Sequence, residues 1–132
     1  MIGHIGLNVA DLGGATAYYD ELMPLVGYES FFTSEDTSAY LPAAGRRGAY
    51  IFFYAALEPG PYSRHAAGLQ HLAFTVPTRS AVRVVHNHVV ERGDEVLHPP
   101  QEFPQYPPPY FATFWLGPEG FMLEAVCHHD RD

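Results

Sequence analysis

Three things are scarce in this sequence. There is one cysteine, Cys127, in 132 residues, which excludes an intramolecular disulfide and fits a reducing, cytosolic setting. There are seven Lys plus Arg against fifteen Asp plus Glu, a formal charge of −8. That balance argues against nucleic acid or an anionic membrane as the main partner. No segment approaches the length and purity of a membrane span. The N-terminus shows no basic region followed by an apolar run and a small-residue cleavage site, so a cytoplasmic location is expected. What remains is a chain the size of one domain, 47% apolar and able to bury a core. Nine Tyr, nine Phe and twelve Pro make an aromatic-lined small-molecule site attractive.

The chain repeats itself. Aligning His4 with His71 brings "HIGLNVADL" over "HLAFTVPTR", each a strand that ends at a polar or Pro-containing break. "GGATAYYDELMPLVGYE" then lies over "SAVRVVHNHVVERGDEV", each a helix closed by a glycine, Gly27 and Gly93. Asp11 and either Thr78 or Ser80 suit the N-caps. Val82, Val85 and Val89 give the second helix a buried stripe. Extended runs follow each helix: "YESFF", "SAYLP" and "GAYIFFYAA" in the first half, "DEVLH", "PYFATFWLG" and "GFMLEAVC" in the second. "GPEG" reads as the tight turn between the last two. The predicted order is β-α-β-β-β twice, an α+β fold. The modules span about 1–57 and about 69–127, with a linker at about 58–68.

Strand parity places the histidines. Ile5, Leu7 and Val9 form one row and Ile2, His4, Gly6 and Asn8 the other. Leu72, Phe74 and Val76 likewise oppose His71, Ala73 and Thr75. The aliphatic rows suit packing under the helices, and the His rows, with small neighbours, suit a face with room for a ligand. In "FMLEAVC", Phe121, Leu123 and Ala125 fit the helix side, which leaves Met122, Glu124 and Val126 on the other. A carboxylate amid apolar neighbours is almost never fully buried unless paired or bound to a cation. His4, His71 and Glu124 thus make a two-His, one-carboxylate ligand set. Such a set holds a divalent ion at a net charge of about +1 and leaves positions open for substrate or O₂.

The opening "IGHIGLNVADL", the unit "AYYDELMPLVGYE", the repeated "LQHLAFTV" and the ending "GPEGFMLEAV" together resemble the vicinal oxygen chelate superfamily, the glyoxalase, bleomycin-resistance and extradiol-dioxygenase group. Gly117 stands where the family's ending has Asp. The resemblance covers essentially the whole chain. It implies paired βαβββ modules whose curved mixed sheets surround a metal cleft, with His4, His71 and Glu124 at the ligand positions. It also implies a homodimer and a small substrate with adjacent oxygens. Glyoxalase I relatives use a fourth ligand, a Glu in the last strand of the first module. Here that position falls on Phe52, or on Phe53 one residue out, and neither can ligate. Three ligands resemble the Fe(II) ring-cleaving dioxygenases and the Mn(II) fosfomycin-modifying transferases, but no basic cluster for a phosphonate is present. Fe(II) is therefore favoured, with Mn, Ni, Zn or Co compatible. The expected activity is chelation of the substrate on the ion, which acts as Lewis acid, in ring-cleaving dioxygenation. A glyoxalase-like lyase or isomerase, and a metal-free binder of the bleomycin-resistance type, are the alternatives.

The remaining histidines carry weaker signals. His86 and His88, two apart on a helix, point in different directions. His128 and His129 read as a solvated tail, and no spacing ties His65 or His98 to the site. "HPPQEFPQYPPPYFATFW" reads as a pre-ordered loop that either closes over a ligand or forms a rigid surface or dimer contact, with Tyr106 or Tyr110 as the phenol that binds substrate or donates a proton in the first case. Phe52, Met122 and Phe111 are the expected lining of the substrate pocket. Cys127 is expected to face away from Glu124.

Overall fold

The computed structural model describes residues 1–58, 60–130 and 132. Residue 59, in the expected linker, lies outside the described residues. The chain divides into two compact units, Met1–Pro61 and Tyr62–Asp132.

In the first unit, β1 (His4–Val9) leads into α1 (Leu12–Leu22), a 3₁₀ turn (Met23–Val26), β2 (Tyr28–Thr33), β3 (Thr37–Pro42) and β4 (Tyr50–Ala55). The sheet order is β1-β4-β3-β2, with β1 parallel to β4 and the other pairs antiparallel. Asp11 starts α1 by accepting from the Gly14 N–H at 3.0 Å. A Cβ on Gly14 would come to 2.5 Å from the Asp11 carboxylate, so a side chain at 14 would push the capping group aside. The helix buries Ala15, Tyr18, Tyr19 and Leu22, one face at helical spacing. Polar contacts tie that helix to β3: Tyr40 donates to Asp20 at 2.8 Å, and the hydroxyls of Thr16 and Ser38 meet. Burial first, and then the Asp20 carboxylate, push the Tyr40 phenol well above its ordinary pKa. Pro24 tightens the end of the helix, and Gly27 closes it in the left-handed region at φ 84°.

The second unit repeats the plan with β5 (Leu72–Thr75), α2 (Arg79–Arg92), β6 (Glu95–Glu102), β7 (Phe111–Leu116) and β8 (Met122–Cys127). Its order is β5-β8-β7-β6, again with the first pair parallel. Of the two candidate caps Thr78 is the one used: its hydroxyl accepts from Ala81 N–H at 3.0 Å. Val82, Val85 and Val89 are fully buried as α2 packs over β6, β7 and β8. The "GPEG" turn joins β7 to β8, with Gly117 N–H bonded to Phe121 O at 2.8 Å. The fold is therefore the expected α+β arrangement, a βαβββ unit made twice.

Two readings of the sequence need correction. β6 does not stop before the prolines but runs through Pro99 and Pro100 to Glu102. The strand lies at the sheet edge, and register shifts between Val96, His98 and Gln101 leave the prolines out of the ladder. Pro is tolerated in a sheet under those conditions, where no N–H is asked of it. The linker, too, is partly built into the second unit. Tyr62 donates to Leu69 O and sets its ring edge-on to Phe121 at 4.4 Å.

Candidate functional site

The register of the two sheets shows how far the repeat extends. Gly6, two residues after His4, pairs with Phe52; Ala73, two residues after His71, pairs with Glu124. Phe52, not Phe53, is thus the counterpart of Glu124. Phe53 is turned into the core.

In the first unit His4 is exposed at the first residue of β1, with its ring edge-on to Phe52 at 5.4 Å. A bulge in β2 between Ser30 and Phe32 leaves both Phe31 and Phe32 in ring contact with Phe52, at 6.5 and 6.1 Å. Tyr54 stacks on Phe52 at 6.0 Å. This face of the first sheet is an aromatic surface carrying one imidazole.

In the second unit the buried charge is Glu124, with 0% of its surface exposed. Its strand neighbours are Ala73 and Phe114. Glu124 Oε2 accepts a 2.6 Å hydrogen bond from the Tyr110 hydroxyl. Glu124 Oε1 lies 3.2 Å from His71 Nε2, an ion-pair distance, yet no hydrogen bond reaches that oxygen. The two observations agree once the other ring nitrogen is considered. His71 Nδ1 meets Gln70 Oε1, and an amide oxygen only accepts, so Nδ1 is the donor of that pair whether or not Nε2 also carries a proton. With that one proton alone on the ring, Nε2 turns a lone pair toward Glu124; with a second proton on Nε2 the contact is an ion pair.

A buried carboxylate oxygen without a hydrogen-bond donor calls for a positive charge beside it. Neighbouring ligands bound about 2.0–2.2 Å from a divalent ion stand about 2.8–3.6 Å apart across octahedral and tetrahedral geometries. The His71–Glu124 separation of 3.2 Å fits that spacing, and an imidazole with a carboxylate suits Fe, Mn, Zn, Ni or Co. No group of three His, Cys, Asp or Glu side chains poised for one ion occurs among the described residues. The second unit by itself brings two donors together.

An aromatic surround shields the carboxylate. Phe103, Ala112, Phe114 and Val126 form a buried cluster to which Leu97, Tyr110 and Met122 add. His71 and His98 lean on Phe114 at 6.0 and 5.5 Å. Burial first, and then the hydrogen bond and charge of Glu124, push the Tyr110 phenol far above the ordinary tyrosine value, so it remains a donor.

Of the two candidate tyrosines, Tyr110 touches Glu124, whereas Tyr106 packs on the Tyr110 ring at 4.8 Å. Met122 shares the row of Glu124, as parity predicts. Phe111 does not. It falls on the helix side of β7, under the guanidinium groups of Arg79 and Arg83 at 5.0 and 5.1 Å, and cannot line a pocket at Glu124. His128 is not simply a tail residue, since its ring rests edge-on to Tyr110 at 5.1 Å. Sequence reasoning missed Gln70 and Phe114. The alternation of β7 would have found Phe114, but nothing in the spacing marks Gln70.

Two βαβββ units, with an imidazole and a buried carboxylate converging in the second, define a paired-module α+β protein. The family model described as Glyoxalase/Bleomycin resistance protein/Dioxygenase superfamily matches residues 1–125, and the chain belongs to that superfamily. A candidate glyoxalase from Bacillus halodurans is 26% identical, with 96% of this chain and 95% of that chain covered and a TM-score of 0.78. A glyoxalase/bleomycin resistance protein from Albidiferax ferrireducens T118 is 16% identical, with 98% and 99% covered and a TM-score of 0.77. The fosfomycin resistance protein FosX of Listeria monocytogenes, in complex with Mn(II) and sulfate, is 19% identical, with 98% and 91% covered and a TM-score of 0.68. The last two share the fold alone. No curated protein matches the sequence. No helix among the described residues is long and apolar enough to cross a membrane.

Proposed function

We propose that the chain is a metal-dependent enzyme that takes a small substrate through adjacent oxygens, with ring-cleaving dioxygenation the favoured reaction and Fe(II) the favoured ion. His71 and Glu124 would hold the ion, with His4 as the third ligand. The observation that carries this reading is the buried Glu124 Oε1, which lacks a hydrogen-bond donor and faces His71 Nε2 at 3.2 Å. A bound divalent ion would supply Lewis-acid polarisation of the substrate oxygens.

The chain's own residues do the rest. Gln70 would keep the proton of His71 on Nδ1, which would free Nε2 to ligate. Tyr110 keeps its own proton and holds the far oxygen of Glu124. Phe103, Phe114 and Met122 would exclude water around the carboxylate and offer an apolar wall, and Phe52 would line the substrate. An imidazolium at His71 paired with Glu124 is the competing account of the same contact. Assembly as a homodimer in the cytoplasm completes the proposal.

The test is turnover of a catechol by Fe(II)-loaded protein in an oxygen electrode. The proposal expects O₂ uptake that is lost in His71→Ala. A lyase or isomerase of the glyoxalase kind would turn over its substrate anaerobically, and a metal-free binder would do neither.

A further inference from the structure

We infer that Tyr110 is a positioning residue that restricts Glu124 to a single coordinating oxygen, and that its hydroxyl is not the free acid or base of the reaction. The inference rests on the metal reading proposed above. A carboxylate can grip an ion with one oxygen or two, and the choice decides how many positions remain for a substrate. Here the two oxygens of Glu124 are treated differently. Oε1 has no donor, whereas Oε2 accepts from Tyr110 at 2.6 Å. A hydrogen bond this short to a buried carboxylate is of the strong, charge-assisted kind, and low polarity around it strengthens it further.

The phenol is also held in place. Its ring meets Phe103 at 6.0 Å, Tyr106 at 4.8 Å and His128 at 5.1 Å. Swinging the hydroxyl to a substrate would break those contacts and strip Oε2 of its donor. Tyr110 therefore acts on Glu124, and through it on the number of open positions.

Co(II) binding by the full-length protein tests this, read by competition with a chromophoric chelator and by the visible bands of the bound ion. Outer-shell partners of metal ligands typically carry about 10–100-fold in affinity. Tyr110→Phe is expected to bind Co(II) more weakly by that factor and to show altered band intensities as Oε2 becomes free to join the ion. Equal affinity and an identical spectrum in Tyr110→Phe would overturn the inference while leaving the metal reading intact. A parent protein that binds no Co(II) would overturn both. Should Tyr110→Phe fail to fold, 3,5-difluorotyrosine at position 110 keeps the ring and changes the donor strength. A shifted Co(II) spectrum then supports the inference and an unshifted one overturns it.

Discussion

Glu124→Gln is expected to abolish tight binding of divalent ions and, in the same protein, to raise the resistance of the metal-free form to unfolding. The two effects have one cause. In the metal-free protein a carboxylate oxygen is buried without a donor and faces the imidazole of His71. Leaving a buried polar group unsatisfied costs about 1–3 kcal/mol, more when it is charged. An amide of the same shape removes the charge and answers both neighbours. Its NH₂ would donate to Nε2 of His71, and its oxygen would still accept from Tyr110. A gain of about 1–3 kcal/mol in urea unfolding is therefore expected without metal, together with a loss of affinity beyond the roughly hundredfold seen for outer-shell changes. If His71 were instead an imidazolium paired with Glu124, the same substitution would break a buried pair. The protein would then lose stability, by up to about 3–5 kcal/mol. The sign of the stability change separates a waiting metal site from a structural ion pair.

The second large effect belongs to the scaffold. Trp115 is fully buried on β7, between Val96 and Leu123 in the ladder, on the strand face opposite Phe114. Trp115→Ala removes the largest fully buried side chain of the protein. The expected cost is about 3–5 kcal/mol, against a total stability of about 5–15 kcal/mol for a domain. Urea unfolding followed by circular dichroism should show a midpoint moved well below that of the parent. A loss under about 1 kcal/mol would mean that the second unit's core is not organised as described.

The fold was legible because its signals are local and occur twice. Alternation in the strands after His4 and His71, and capping at Asp11, Thr78, Gly27 and Gly93, each depend on a few adjacent residues, and the repeat let one half check the other. Phe52 and Phe53 could not be separated until strand pairing was known, because a shift of one residue turns a side chain to the other face. The same uncertainty put Phe111 at the site when β7 turns it under Arg79 and Arg83. β6 was cut short at Pro99 because the bulges that accommodate the prolines arise from pairing with β7, not from the prolines themselves. In the proline-rich stretch only the path of the chain decides that Tyr110, not Tyr106, reaches Glu124. The partner of a ring nitrogen, such as Gln70, leaves no periodic trace at all.

We propose that His71 and Glu124 hold a divalent ion, with His4 as third ligand. Titration of the chelator-free protein with Mn(II), followed by electron paramagnetic resonance, tests it most directly. One tightly bound equivalent per chain is expected in the parent, and loss of that equivalent in His4→Ala, in His71→Ala and in Glu124→Ala. Binding in all three variants equal to that of the parent, or a parent that leaves Mn(II) free in solution, would contradict it.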